Sequence, residues 1–122
     1  MSKNILVIED DPCLQDVYSI ILESAGHKVT VSANADLIFK ENPPLPDVFL
    51  LDKQIQGMDG LDVCRYLKTH PKTKNIPVII ISASINIHAL AKSAGADASI
   101  AKPFDNKNFL EIIEEQLYHA EA

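Results

Sequence analysis

Long apolar runs are missing from this chain. None approaches the ~18 residues that a bilayer-spanning helix needs, so no membrane insertion is expected. Cysteine is scarce: Cys13 and Cys64 are the only two. That is too few for a disulfide scaffold, and both fall in apolar helical patterns, where they read as buried free thiols. Positive charge is in deficit, with 11 Lys and Arg against 17 Asp and Glu and a formal net charge of −6. This balance argues against direct binding of nucleic acid or an anionic membrane by charge, and suits a domain that binds cations or basic partners. A secretory leader pattern is lacking too, because acids interrupt the apolar run of MSKNILVIEDD at once; the expectation is a cytoplasmic protein. There is no internal repeat and no low-complexity segment, and the Pro-rich stretch 42–46 reads as a short connecting loop.

What is present is enough for one packed domain. The chain has 122 residues, 47% of them apolar and 23% charged, an ordinary balance for a globular core without staples. Apolar runs alternate with helical patterns. Residues 4–8 form a continuous apolar run, as a strand buried on both faces requires. Leu14, Val17, Tyr18, Ile21, Leu22 and Ala25 then share one helix face; Asp11 and Pro12 open that helix and Gly26 closes it. Residues 27–31 read as a weaker strand and 33–41 as a weak helix. Residues 47–51 are a second strong strand, followed by a loop at 52–58. Asp59 caps a helix carrying Leu61, Cys64 and Leu67, with Asp62 as a box-like partner. Residues 77–81 are the third strong strand. Ile87, Leu90, Ala91 and Ala94 mark a helix ending at Gly95, residues 98–101 a short strand, and Asp105 caps a last helix facing inward with Phe109, Ile112, Ile113 and Leu117. Strand and helix thus alternate five times, the pattern of an α/β domain with a doubly wound parallel sheet covered on both faces.

In such sheets the chemistry gathers outside the carboxyl ends of the strands. Glu9, Asp10 and Asp11 follow the first strand, Asp52 the third, Ser82 the fourth and Lys102 the fifth, with Pro103 next. Acids brought together from neighbouring strands need a cation among them to stay ionised. An all-oxygen donor set without His or Cys suits Mg²⁺ or Mn²⁺ and not Zn²⁺. A divalent ion beside a carboxylate, a hydroxyl and an ammonium describes a phosphoryl site, in which Asp52 can act as nucleophile and form an aspartyl-phosphate.

These residues carry a resemblance. Ile5 to Pro12, Val48 to Asp52 with Gly57-Met58-Asp59-Gly60 following, Val78 to Ala83, and Ala94 to Asp97 followed by Lys102-Pro103-Phe104 match in order the motifs of the receiver domain of two-component response regulators. The resemblance spans residues 4–104, and the last helix fits it too. It implies a single flavodoxin-like (βα)5 domain over residues 1–122, strand order 2-1-3-4-5, with no output domain in this chain. It implies that Asp52 accepts a phosphoryl group from a histidine kinase or histidine phosphotransfer protein. Asp10 is then a metal ligand, Glu9 a ligand directly or through water, and the backbone carbonyl of Gln54 completes the shell around Mg²⁺ (or Mn²⁺). Ser82 and Lys102 contact the phosphoryl oxygens, and the Lys102-Pro103 bond is cis. Such a domain is a switch that slowly hydrolyses its own acyl phosphate, not a metabolic enzyme, and its output partner is unknown.

Other readings are blander. Asp11 is the helix cap, and Gly57 and Gly60 serve backbone geometry. His27, His70, His88 and His119 read as surface residues and Met58 as loop packing. Lys53 is solvated or favours anionic donors. Two positions depart from the family pattern: Ser99 stands where receivers usually carry an aromatic or histidine, and Gln56 where Pro is common. Gln54 and Ser84 lie where, in the family, the lifetime of the phosphoryl group is tuned. A receiver-like scaffold that is never phosphorylated is the rival reading. An aspartate-nucleophile phosphatase would want an acid where Gln54 stands. A flavin module would want a Gly/Ser/Thr-rich loop where Glu9, Asp10 and Asp11 stand.

Overall fold

The structure, a computed structural model, describes residues 3–55 and 57–119. Gln56 lies outside them, as does the side chain of His119. Five strands form one parallel sheet: β1 (Asn4–Ile8), β2 (Lys28–Ser32), β3 (Val48–Asp52), β6 (Val78–Ser82) and β7 (Ala98–Ala101), in the order β2-β1-β3-β6-β7. Between β3 and the helix after it, β4 (Gln54–Ile55) and β5 (Met58–Asp59) pair antiparallel as a small hairpin where the sequence suggests only a loop. With that hairpin set aside, the order is the expected 2-1-3-4-5. Among the described residues four helices accompany the sheet: α1 (Pro12–Ser24), α2 (Gly60–Thr69), α3 (Ile87–Ser93) and α4 (Asn106–His119).

The continuous apolar strands are buried on both faces, and the alternation of side chains splits them between two cores. Leu6, Ile8, Phe49, Leu51, Val78 and Ile80 pack with Leu61, Cys64 and Leu67 of α2 and Ile87 and Ala91 of α3. Ile5, Val7, Val48, Leu50, Ile79 and Ile81 pack with Tyr18 and Leu22 of α1 and Phe109, Ile113 and Leu117 of α4. Among the described residues no helix is long and apolar enough to cross a membrane.

The weak helix expected at 33–41 does not form; the segment is a series of bends and turns. Local side-chain bonds compete with the helix there. Asn34 Oδ1 accepts from the Asp36 N–H at 3.0 Å and Ser32 Oγ donates to the Asn34 carbonyl at 2.9 Å, the turn chemistry that makes these residues poor in helices. Ala35 and Ile38 are nonetheless buried in the α2–α3 core. The second β-α unit therefore keeps its packing without its helix.

The helix caps follow the sequence more closely. The Asp11 carboxylate accepts from the Cys13 N–H, that of Asp59 from the Leu61 N–H, each at 2.8 Å, and that of Asp105 from the Asn108 N–H at 2.7 Å. The capping box does not close, however. Asp62 instead pairs with Arg65, one turn along, at 2.6 Å.

Candidate functional site

Strand register builds the site. In the β1–β3 ladder Ile8 stands opposite Leu51, so the next residues, Glu9 and Asp52, leave the sheet edge side by side. Each continues the face of its strand that packs on α1 and α4. In the β6–β7 ladder Ser82 stands opposite Ala101, and the Lys102 N–H donates to the Ser82 carbonyl at 2.8 Å. The Lys102-Pro103 bond is cis. Four of the sequence-derived residues thus converge on one edge.

Asp52 is buried, and both of its oxygens are engaged. Oδ1 accepts from the Gln54 N–H at 2.8 Å and Oδ2 from the Lys102 ammonium at 2.5 Å. Glu9 is buried beside it. Its Oε2 accepts from the Asp11 N–H at 3.1 Å, while Oε1 has no hydrogen-bond partner and lies 3.8 Å from Lys102 Nζ. Burial first, then the neighbouring Asp52 carboxyl, push Glu9 up to about 8, against the opposing pull of the Asp11 N–H and the Lys102 ammonium. Ser82 Oγ accepts from the Ser84 N–H and meets Ser84 Oγ, both at 3.0 Å. A cavity of about 320 Å³ opens between these groups, lined by Asp52, Gln54, Ser82, Ala83, Ser84 and Lys102. It has room for a phosphoryl group.

Asp10 is exposed at the rim. Among the described residues no three acid, His or Cys side chains are gathered as a finished metal cage. The ammonium of Lys102 holds the acids together instead. A divalent ion nevertheless fits the donor set: Glu9 Oε1 is buried without a hydrogen-bond partner, the carboxyl groups of Glu9, Asp10 and Asp52 offer only oxygen, and Asp10 stands exposed at the rim.

Gly60 fixes the site from below. A Cβ there would stand 2.1 Å from the carbonyl oxygen of Asp52, so α2 can start this close to the strand only at a glycine. Gly57 instead has a positive φ of 77° in the hairpin turn.

Several bland readings are corrected. His27 is buried, not on the surface, and its Nε2 lies 2.9 Å from Glu114 on α4. Cys13 is exposed and only Cys64 is buried. Met58 is among the exposed large apolar residues. Lys53 is neither simply solvated nor free, its Nζ lying 3.4 Å from Asp59. Ser99 Oγ meets His88 Nδ1 of α3 at 2.5 Å, and both residues line a cavity of about 340 Å³. Tyr18, read from the sequence only as part of an apolar helix face, is fully buried with no partner for its hydroxyl. Burial, and then the charges of Glu9 and Asp52, hold that phenol protonated well above its ordinary range.

The fold and this edge define a doubly wound signalling domain with an acid–hydroxyl–lysine site. Residues 5–114 match the family model of the response regulator receiver domain, and the chain belongs to that family. It is 32% identical over 113 residues to the DNA-binding response regulator MtrA of Mycolicibacterium smegmatis, covering 90% of this chain and 48% of that protein. The chain spans about half the length of the curated relatives it matches. Its structure is similar to a CheY-like receiver domain protein of Methanospirillum hungatei, with a TM-score of 0.83 and 30% identity over 99% of this chain and 98% of that one. It also shares its fold with the receiver domain of sensor histidine kinase PA1611 from Pseudomonas aeruginosa, with a TM-score of 0.85 and 24% identity over 97% of this chain and 99% of that one. That structure holds a magnesium ion in its active-site cleft.

Proposed function

We propose that this receiver takes a phosphoryl group onto Asp52 from a histidine kinase or histidine phosphotransfer protein, with Mg²⁺ or Mn²⁺ bound, and thereby changes the surface its partner reads. The observation that carries the reading is the buried Asp52 carboxylate, held by Lys102 at 2.5 Å beside a Glu9 whose Oε1 lacks a partner. A carboxylate oxygen of Asp52 forms the new bond to phosphorus as the bond to the donor atom breaks, leaving an acyl phosphate. Asp10, Glu9, Asp52 and the Gln54 carbonyl would hold the ion, which neutralises phosphoryl oxygens when bound. Lys102, already at the acceptor, contacts one phosphoryl oxygen, and Ser82 leaves Ser84 to donate to another. Movement of Ser82 pulls on β6 and the loop to α3, which biases the face built by α3 and β7.

The domain is a switch that modifies itself, not a metabolic enzyme, and we place it in the cytoplasm as one domain over residues 1–122. Its acidic surface, with a net charge of −6, makes protein and not nucleic acid its direct partner. Acetyl phosphate and Mg²⁺ should add one phosphoryl mass to the intact protein and none to Asp52→Asn. An unlabelled wild type, or a labelled variant, overturns the reading and favours a scaffold that works without phosphorylation. Mg²⁺ titration separates the two again, because a dead pocket shows no metal-dependent change.

A further inference from the structure

Two orphaned polar atoms lie at the base of this site. One is Glu9 Oε1; the other is the hydroxyl of Tyr18. Tyr18 is fully buried on α1, its ring stacked on Phe109 at 5.3 Å and an interplanar angle of 13° and lying 6.0 Å from Phe104. Packing therefore fixes where the hydroxyl points. Glu9 and Asp52 extend the strand face that packs on Tyr18, and both carboxyl groups act on its phenol, Glu9 most strongly, although the hydroxyl makes no formed hydrogen bond. A phenylalanine would fill the same stack without burying a hydroxyl, and an unmet buried hydroxyl costs about 1–3 kcal/mol. The chemistry is complementary: the phenol offers a donor and the carboxylate oxygen an acceptor.

We propose that Tyr18 is a positioning residue for Glu9, its O–H donating to the Glu9 carboxylate when the metal is bound. The inference rests on the metal reading above. An ion that engages Glu9 Oε1 leaves Oε2 held by one backbone donor, the Asp11 N–H at 3.1 Å; a second donor holds the carboxylate more firmly, and loss of such outer partners typically weakens metal binding by about 10–100-fold. No other side chain on α1 offers a buried donor to Glu9. The nearby Gln15 amide donates to the Glu9 backbone carbonyl.

The test is Tyr18→Phe, which keeps the ring. Calorimetric Mg²⁺ titration of the unphosphorylated domain should show binding weakened by about 10-fold or more, while the metal-free variant melts at or above wild type. These opposite signs distinguish positioning from structural support. In a Glu9→Gln background the same change should cost no further Mg²⁺ affinity. Wild-type affinity in Tyr18→Phe, a loss of metal-free stability without a loss of affinity, or an equal loss with and without Glu9 overturns the inference. A wild type that binds no Mg²⁺ overturns the metal reading itself, and the inference with it.

Discussion

Gly60→Ala is the substitution that most directly separates geometry from chemistry at Asp52. Gly60 begins α2, and its N–H donates to the Lys53 carbonyl at 2.6 Å. A Cβ there would lie 2.1 Å from the Asp52 carbonyl oxygen, 3.0 Å from its carbon and 3.1 Å from the Lys53 Cα, whereas ordinary contact begins near 3.4 Å. More than an ångström must therefore be opened between helix and strand, and the atoms in the way are backbone, which cannot rotate aside. Overpacking of this kind costs about 1–3 kcal/mol, and occasionally more. The gain from Ala over Gly, at most about 1 kcal/mol in a helix interior, is smaller still at a first helical position. The expected net loss is about 2 kcal/mol, or roughly 5–10 °C in melting temperature for a domain of this size. The effect on labelling should be larger in proportion, because the displaced carbonyl belongs to the acceptor residue and an ångström of misplacement can cost about 100-fold in rate. Thermal melts and intact-mass kinetics with acetyl phosphate measure the two. Gly57→Ala is the control. Its φ of 77° makes alanine strained, but nothing lies within 4 Å of the added carbon, so about 1–2 kcal/mol is lost while labelling stays near wild type. Equal labelling losses in both variants, or a Gly60→Ala protein that melts and reacts like wild type, would refute the claim that this close approach fixes Asp52.

Other perturbations follow from the same contacts. Glu9, pushed from 4.5 up to about 8, holds its proton more tightly folded than unfolded, so the metal-free protein should lose stability as pH rises between those values. Urea melts in chelator at pH 5 and pH 8.5 should show this, and Glu9→Gln should flatten the slope. Because Mg²⁺ must displace that proton, its affinity should rise across the same window, and calorimetry that finds no such rise contradicts the assignment. Lys102→Met leaves Asp52 buried without its counter-charge; metal-free stability should fall by roughly 2–4 kcal/mol, with part of the loss recovered by Mg²⁺. Glu114→Ala leaves the buried His27 Nε2 unpaired and should lower the urea midpoint by an amount equivalent to about 1–3 kcal/mol.

The central strands of the sheet were legible in the sequence because they are buried on both faces. Residues 4–8, 48–52 and 78–82 are nearly uninterrupted apolar runs, and a parallel strand covered on both faces has no other way to be written. The 33–41 segment was not, because its apolar residues Ala35 and Ile38 are spaced as on a helix while the polar residues between them fold the chain into turns. Burial was satisfied either way, so periodicity alone could not tell helix from packed turn. The same limit hid His27. A histidine at the start of a weak strand looks solvated until α4, far along the chain, brings Glu114 to it.

The proposed reacting groups were legible for a different reason: register turns sequence position into spatial position. Once β1, β3, β6 and β7 are parallel neighbours, the first polar residue after each apolar run must emerge on the same edge. Glu9, Asp52, Ser82 and Lys102 therefore follow from strand ends alone. What strand ends cannot reveal is which resting partner each group takes. Lys102 holds Asp52 and Ser84 holds Ser82, so the acceptor and the hydroxyl are both restrained before any phosphoryl group arrives. Tyr18 escaped for the complementary reason. Its ring satisfies the helical pattern as any apolar residue would, and only the hydroxyl, which hydrophobic periodicity does not register, sets it apart. The supporting side chains of such a site are thus the part of the design that a one-dimensional pattern conceals, since each is chosen by a neighbour across the core and not along the chain.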